Sequence, residues 1–305
     1  MNCLKTLKIK LMEQCPELEL REEEPMAKHT SFRIGGPVKL MALPASEKEA
    51  AAVLRFAHEA GVKPLFLGNG SNLLVADKGL EAFVVKLGEK FAGIHQEGEE
   101  SLYAQAGALL SRTASFARER GLTGMEFCHG IPGSVGGAVT MNAGAYGGEM
   151  ADVVEEVLCL TGKGELQVFR GEELGFGYRQ SAFEDGELLV LGAKFKLNSG
   201  DMEEIRTRME YLAACRRDKQ PLEYPSAGST FKRPLGAYAA ALIDQCGLKG
   251  YRVGGAQVSE KHAGFVVNRG GATCEDVLRV MGHVRDTVLN ETGFLLEPEV
   301  RILGV

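Results

Sequence analysis

The chain has 305 residues, of which 45% are hydrophobic and 25% charged, and its formal net charge is -6. These proportions are typical of a folded globular protein with a sizeable core and two or three domains. The acidic balance excludes an overall field that attracts nucleic acid or an anionic membrane, so we expect neither as a partner. The first thirty residues carry charges throughout, and no apolar run approaches the roughly 20 residues that span a bilayer. We therefore expect a cytoplasmic protein.

The chain contains seven cysteines, an odd number, scattered without any CxxC pair. This usage argues against a disulfide framework and against a zinc site. We expect small buried thiols in a reducing cytosol, and no metal.

In chain order, the first predicted element is a helix that begins at Ser46. Ser46 and Glu49 have the spacing of a capping box, apolar residues follow at helical spacing, and Gly61 ends the pattern. A short buried strand is predicted over 64–67, a glycine turn over 68–72 and a second extended segment over 73–76.

The remaining elements predict an α+β protein. A second helix is predicted over 108–120, and a glycine-rich segment follows at 130–149. Residues 153–197 alternate in short apolar and polar pieces, which is typical of antiparallel strands. A long helix over 201–217, a helix over 238–246, a strand over 264–268 and a helix that begins at 273–276 predict a compact lobe, and 295–303 is strand-like.

Two glycine loops are candidates for binding phosphate. In the loop Gly68-Asn69-Gly70-Ser71-Asn72 the glycines allow close backbone approach and the polar side chains can donate hydrogen bonds, although an ordinary tight turn explains it equally well. It is not a dinucleotide fingerprint, because no third glycine follows and no helix begins there.

The second loop is the denser one. Four glycines and a proline within eight residues expose many backbone N–H groups, which can hold a pyrophosphate without a lysine. Its candidate residues are Gly130, Ile131, Pro132, Gly133, Ser134, Gly136 and Gly137, and Asn142 and Gly144 continue the pattern. Two such loops in one chain favour a dinucleotide ligand.

Five segments carry a resemblance to a known family: GNGSN at 68–72, GIPGSVGGAVTMNAGAYG at 130–147, GYRQSAF at 177–183, SAGSTFKRP at 226–234 and LLEPEVRILG at 295–304. In this order, from about Thr30 to the C terminus, the chain resembles the UDP-N-acetylenolpyruvoylglucosamine reductase family. Only residues 182–200 lie between Ser181 and the predicted long helix. The chain therefore resembles the shorter, second type, which lacks a tyrosine-bearing insertion, and that tyrosine's contact is not carried over.

The resemblance implies an α+β fold with a two-lobed FAD-binding region of the vanillyl-alcohol-oxidase (PCMH-like) type, followed by an α+β substrate-binding domain. Combined with the predicted elements, it places the FAD-binding lobes at 1–85 and 86–200, the substrate-binding domain at 201–292 and a returning C-terminal strand at 293–305. It also implies non-covalent FAD, NADPH as co-substrate, and reduction of UDP-N-acetylglucosamine enolpyruvate to UDP-N-acetylmuramate in peptidoglycan precursor synthesis.

The resemblance implies three catalytic residues. Arg179 would lie beside the substrate carboxylate, because a guanidinium fork matches the charge spread over carboxylate and enolate oxygens. Ser229 would donate the proton, which requires that its conjugate base be stabilised in a site closed to water. Glu299 would assist the developing charge; Glu297 is its rival, but only Glu299 shares the EVR context of the motif.

The resemblance also implies residues that hold the substrate and the cofactor. Tyr178, Lys219 and Lys232 are candidates for the substrate, the lysines for its diphosphate, and Arg33 for the flavin. Arg233 departs from the asparagine expected in the longer type, which leaves the diphosphate contacts open.

Two other interpretations stay open from the residues. An FAD-dependent oxidase of the same superfamily, acting on another substrate, would give the pair Cys128-His129 a role in covalent flavin attachment, although we expect His129 to be a hydrogen-bonded structural residue. A non-catalytic protein that binds nucleotide sugars would use the same loops without turnover.

Overall fold

The computed structural model describes residues 3–305. Its α-helices are α1 (Cys3–Gln14), α2 (Glu47–Glu59), α3 (Leu110–Arg118), α4 (Val135–Thr140), α5 (Met202–Lys219), α6 (Ala239–Gln245) and α7 (Cys274–Thr292). Its strands are β1 (Glu19–Pro25), β2 (Pro37–Leu43), β3 (Pro64–Leu67), β4 (Leu73–Val75), β5 (Leu80–Lys86), β6 (Ile94–Gln96), β7 (Ser101–Gln105), β8 (Leu122–Thr123), β9 (Gly144–Ala145), β10 (Gly148–Glu149), β11 (Val154–Thr161), β12 (Leu166–Arg170), β13 (Leu188–Lys196), β14 (Asn198–Ser199), β15 (Arg252–Val253), β16 (Ala256–Val258), β17 (Val266–Asn268) and β18 (Arg301–Leu303).

The chain packs as two units, each discontinuous in sequence. The first unit comprises residues up to Glu22, Leu40–Asn69 and Ala82–Cys215, and the second comprises Glu23–Lys39, Gly70–Glu81 and Arg216–Val305. The boundaries predicted at 85, 200 and 292 are cuts along the sequence and stay a prediction.

The first unit is built on a five-stranded antiparallel sheet in the order β12-β11-β13-β7-β6. Val157 of β11 lies opposite Ala193 of β13, and both are fully buried, so the alternation predicted for 153–197 is confirmed as antiparallel strands. Helix α4 packs against β13. In the same unit, β3 runs parallel to β5, and Leu65 lies opposite Val84.

Helix α2 begins where the capping pattern predicts. The Ser46 hydroxyl accepts a hydrogen bond from the Glu49 N–H at 3.2 Å. The Glu49 carboxylate accepts from the Ala45 N–H at 2.7 Å, one residue before the donor of an ideal box. Ala50, Val53, Leu54 and Ala57, the predicted apolar face, are fully buried.

The second unit contains the antiparallel sheet β15-β16-β17 and helix α7. Thr273 and Asp276 form a complete capping box at the start of α7, and Gly293 ends the helix in the left-handed conformation. The segment 295–303 forms a strand only at its end, where β18 pairs in parallel with β4 and Ile302 lies opposite Leu74.

All seven cysteines are free thiols. Within residues 3–305, no group of His, Cys, Asp or Glu side chains has the arrangement of a metal site. Over the same residues, no helix is both long and apolar enough to cross a membrane.

Candidate active site

Within the first unit, the start of the first glycine loop lies beside the second. The Asn69 amide nitrogen is 3.5 Å from the Pro132 carbonyl oxygen, to which it donates. A Cβ atom added to Gly68 would lie 2.6 Å from the Ser134 hydroxyl and 3.6 Å from the Gly137 nitrogen. Glycine at 68 is therefore required by close approach. We call Gly68, Ser134 and Gly137 the phosphate cradle.

The cradle offers hydrogen-bond donors that the protein does not use. Ser134 is 3% exposed and stands at the N-cap of α4, yet within residues 3–305 its hydroxyl has no partner. The N–H groups of Val135 and Gly136 donate to Ala108 and Ala106, whereas no protein acceptor is recorded in that range for the N–H of Gly137.

An unsatisfied buried hydroxyl is costly, and an acceptor from outside the chain would remove that cost. A phosphate of FAD fits this donor set. Glycine is needed at 136 for a different reason: a Cβ there would lie 2.8 Å from the Ala106 Cβ.

The other predicted cofactor residues differ in exposure. Asn69, Gly130 and Pro132 are exposed, Ser71, Asn72, Ile131 and Gly144 are half-buried, and Gly70 and Gly133 are buried. Arg33 is exposed and has a φ of 56°, in the left-handed region. Contact of these residues with FAD stays a prediction.

Asn142, also predicted to contact the cofactor, has its side chain engaged on the protein. It is fully buried, its amide nitrogen donates to the Gly177 carbonyl at 2.9 Å, and its amide oxygen accepts from the Ala151 N–H at 2.9 Å. This geometry favours a role in holding the backbone near Arg179.

Arg179 lies at the tip of a tight hairpin. Gly177 and Gln180 exchange both backbone hydrogen bonds at 3.1 Å, which leaves Tyr178 and Arg179 as the two turn residues. Arg179 has a φ of 57°, unusual for a residue with a side chain. Its guanidinium lies 5.2 Å from the centre of the Tyr178 ring, and Nη2 donates to the Gly144 carbonyl at 3.4 Å.

In the second unit, Ser229 and Glu299 lie on neighbouring segments. The Glu299 N–H donates to the Thr230 carbonyl at 2.9 Å, and Phe231 and Pro298 form an antiparallel bridge. The Thr230 N–H in turn donates to the Gly264 carbonyl at 2.8 Å. The structure thus brings together two of the three predicted catalytic residues within one unit; the approach of Arg179 to this pair stays a prediction.

The carbonyl of Glu299 is held by the last residue of the first glycine loop. The Asn72 amide nitrogen donates to it at 3.0 Å, and the Arg301 N–H donates to the Asn72 carbonyl at 3.0 Å. Glu297 has another environment, because its exposed carboxylate lies 3.8 Å from the Lys232 ammonium. The choice of Glu299 over its rival stays a prediction.

The predicted substrate cations are accessible. Lys219 is the last residue of α5 and is exposed, and Lys232 is half-buried. The guanidinium of Arg233 lies 3.9 Å from the centre of the exposed Tyr238 ring. The contact between Arg233 and Tyr238 was not predicted, because Tyr238 lies outside the sequence motifs.

Cys128 and His129 differ in their hydrogen bonding. Cys128 is fully buried, and its thiol donates to the Met125 carbonyl at 3.0 Å. The Nδ1 atom of His129 is buried without a partner among residues 3–305, so the expectation of a fully hydrogen-bonded histidine is wrong for that atom.

Comparison with known families identifies the class. A family model described as an FAD binding domain matches residues 38–170, which include the whole phosphate cradle. The chain is an FAD-dependent flavoprotein, and the cofactor expected from the sequence is confirmed. A second model, described as the C-terminal domain of UDP-N-acetylenolpyruvoylglucosamine reductase, matches residues 220–303.

Full-length relatives agree. UDP-N-acetylenolpyruvoylglucosamine reductase from Pediococcus pentosaceus is 48% identical over 95% of this chain and 96% of its own. The protein of that name from Caldanaerobacter subterraneus is 47% identical over 97% of both chains. The crystal structure of the reductase from Thermus caldophilus has a TM-score of 0.80 and 37% identity, and the match covers 94% of this chain and 99% of that one.

The chain belongs to the UDP-N-acetylenolpyruvoylglucosamine reductase family. The predicted α+β fold, with an FAD-binding region and a C-terminal substrate-binding domain, is confirmed, as is the prediction of an oxidoreductase. The roles of individual site residues stay predictions.

Proposed function

We propose that this chain reduces UDP-N-acetylglucosamine enolpyruvate to UDP-N-acetylmuramate through bound FAD, with NADPH as the hydride source, in the cytoplasmic synthesis of peptidoglycan precursors. The observation that carries the proposal is the hydrogen bond from the Glu299 N–H to the Thr230 carbonyl, which pairs the backbone of Glu299 with the segment that contains Ser229. A proton donor and a carboxylate on paired segments suit the reduction of an enol ether. Neither nucleic acid nor membrane is part of the proposal.

The reaction needs a hydride at one alkene carbon, a proton at the other, and stabilisation of the enolate-like charge between these events. FAD, when bound, supplies the hydride that it has accepted from NADPH. The phosphate cradle of Gly68, Ser134 and Gly137 would hold its diphosphate, since within residues 3–305 the Ser134 hydroxyl has no partner and the Gly137 N–H has no protein acceptor. The rest of the chemistry belongs to the protein's side chains.

Arg179 would bind the substrate carboxylate and the enolate oxygen. Its guanidinium offers a planar fork of donors, which matches two oxygens better than a point charge does. The hairpin from Gly177 to Gln180 presents it at a turn tip. A donor fixed before the reaction need not reorganise as charge develops, which is the main source of electrostatic catalysis.

Ser229 would give its proton to the substrate carbon. Its alkoxide would be short-lived, and Glu299, whose segment pairs with that of Ser229, would assist reprotonation and orient the hydroxyl. Lys232 would serve the substrate diphosphate together with Lys219. Its pairing with Glu297 is an exposed ion pair, of the kind worth at most about 1 kcal/mol, so a diphosphate could displace the glutamate.

The test is Ser229→Ala, with each half-reaction measured separately by anaerobic stopped flow. NADPH should reduce the flavin at a nearly normal rate, whereas reoxidation by the enolpyruvyl substrate should fall by about 100-fold or more, the usual contribution of a general acid. Ser226→Ala, on the same segment, is the control and should leave both rates unchanged. Equal damage to both half-reactions would refute the proton-donor role.

A further inference from the structure

Two hydrogen bonds from buried side chains flank the hairpin that carries Arg179. On its N-terminal side the Asn142 amide nitrogen donates to the Gly177 carbonyl at 2.9 Å. On its C-terminal side the Ser181 hydroxyl donates to the Thr140 carbonyl at 2.7 Å. Asn142 is fully buried and Ser181 is 7% exposed. Both bonds thus join the hairpin to the short segment 140–142. In one of them the segment supplies the donor, and in the other it supplies the acceptor.

The burial of Asn142 indicates a specific task. A buried amide is costly unless both its ends are hydrogen-bonded, and here the oxygen accepts from the Ala151 N–H at 2.9 Å while the nitrogen serves Gly177. Asn142 also has a φ of 40°, and Arg179 has a φ of 57°. Left-handed conformations at residues with side chains persist only when the surrounding contacts enforce them.

The hairpin tip lies at the protein surface. Tyr178 is 52% exposed and Gln180 is exposed, so the tip is not fixed by burial. The Arg179 guanidinium rests against the Gly144 carbonyl, two residues beyond Asn142. The segment 140–142, which these two hydrogen bonds join to the hairpin, therefore ends two residues before the carbonyl that the guanidinium contacts.

We propose that Asn142 is a positioning residue for the half-reaction in which the substrate reoxidises the reduced flavin. With Ser181 it fixes the Gly177–Gln180 hairpin and thereby the direction of the Arg179 guanidinium. This inference rests on the proposed function. Catalytic groups must be held to within about half an ångström, and a misplacement of about 1 Å can cost 100-fold in rate. The amide acts through Arg179 and does not touch the reacting atoms.

Two variants separate the bonds of Asn142. Asn142→Asp keeps the oxygen that accepts from Ala151 and, when its carboxyl is ionised, places a second oxygen against the Gly177 carbonyl, which breaks the link to the hairpin alone. A protonated carboxyl would donate to that carbonyl and keep the link, so the rates are measured across a range of pH. Asn142→Gly removes both hydrogen bonds, and glycine adopts the φ of 40° without strain. It therefore serves as the test variant if Asn142→Asp fails to fold. Thr292→Val, which removes a side chain-to-backbone bond to Val288 in α7, controls for general destabilisation.

The deciding experiment is a double-mutant cycle with Arg179→Ala, read by both half-reactions. In Asn142→Asp, NADPH should still reduce the flavin at nearly the normal rate, while reoxidation by the enolpyruvyl substrate should slow by about tenfold or more. In the Arg179→Ala background the same change should cost less than about twofold, because the group it positions is gone. Thr292→Val should alter neither rate.

A second readout is independent of turnover. The Gln180 N–H, which donates to the Gly177 carbonyl, should exchange with solvent faster in Asn142→Asp than in the wild type without any substrate. Normal reoxidation in Asn142→Asp, an equal loss with and without Arg179, or unchanged exchange at Gln180 would each overturn the inference. If the wild type itself is not reoxidised, the proposed function fails, and the exchange rate still decides whether Asn142 holds the hairpin.

Discussion

Replacing Ser134 by alanine should change apoprotein stability and FAD affinity in opposite directions. The hydroxyl is 3% exposed and, within residues 3–305, has no hydrogen-bond partner, so in the apoprotein it is a buried polar group without compensation. If Ser134 binds the cofactor, as we predict, the same hydroxyl would donate to a phosphate oxygen of bound FAD. Alanine removes the cost from the first state and the benefit from the second.

The magnitudes follow from this environment. A buried donor without a partner costs about 1–3 kcal/mol, so the apoprotein of Ser134→Ala should be more stable by about 1 kcal/mol after allowance for lost packing. A hydrogen bond to a charged group contributes about 1.5–3 kcal/mol, so FAD should bind roughly ten- to a hundredfold more weakly.

The assay uses apoprotein from which flavin has been removed. Urea unfolding gives the free energy of unfolding, and titration with FAD, followed by quenching of flavin fluorescence, gives Kd. Ser226→Ala, outside the phosphate cradle, should change neither quantity. A Ser134→Ala apoprotein that is less stable than the wild type, or an unchanged Kd for FAD, would refute the assignment of this hydroxyl to the cofactor.

Three further predictions concern single positions. Gly68→Ala should weaken FAD binding at least as much as Ser134→Ala, because its Cβ would lie 2.6 Å from the Ser134 hydroxyl. Gly162→Ala, with open space around it, is the control and should bind FAD normally. Equal FAD affinities of Gly68→Ala and Gly162→Ala would contradict the assignment of the phosphate cradle. Asn72→Ala should slow substrate-dependent flavin reoxidation by roughly tenfold while leaving reduction by NADPH unchanged, since the Glu299 carbonyl loses its donor; a loss confined to reduction would argue against this. Burial lowers the pKa of His262 below 6.5. As pH falls below 6.5 the unfolded chain therefore binds the proton first, and stability declines by at most about 1.4 kcal/mol per pH unit. In urea unfolding curves His262→Gln should flatten this slope, and an unchanged slope would exclude His262 as its source.

The elements that could be predicted from the sequence are those with local signals. The capping pattern at Ser46 predicted a helix start that the structure confirms to the residue, and the helix predicted to begin at 273–276 begins at Cys274. The helix predicted over 108–120 begins later, at Leu110, because Leu109 is extended and bridges Ser134. That contact joins distant parts of the chain and leaves no local pattern.

Other elements were not predicted because the periodicity of their apolar residues is weak. Helix α1 buries only Leu7 and Leu11, and its charges are spread around it, so its amphipathic pattern is faint. Strand β5 has three consecutive buried residues, Phe83, Val84 and Val85, and such a run does not alternate. The predicted C-terminal strand is short because Pro298 lies within it and has no N–H to donate.

The candidate site divides in the same way. Motifs marked Arg179, Ser229 and Glu299 in the sequence, since each lies in a distinctive run of residue types. The contacts of Asn142 with Gly177 and of Asn72 with Glu299 could not be predicted, because each joins a side chain to a carbonyl, and every residue carries a carbonyl. Only the folded chain shows which carbonyl is reached.

The most direct test of the account is anaerobic and uses the purified wild-type protein with its flavin reduced by NADPH. Addition of UDP-N-acetylglucosamine enolpyruvate should restore the absorbance of oxidised flavin and yield UDP-N-acetylmuramate in equal amount. A flavin that NADPH reduces but that stays reduced in the presence of this substrate would contradict the assignment.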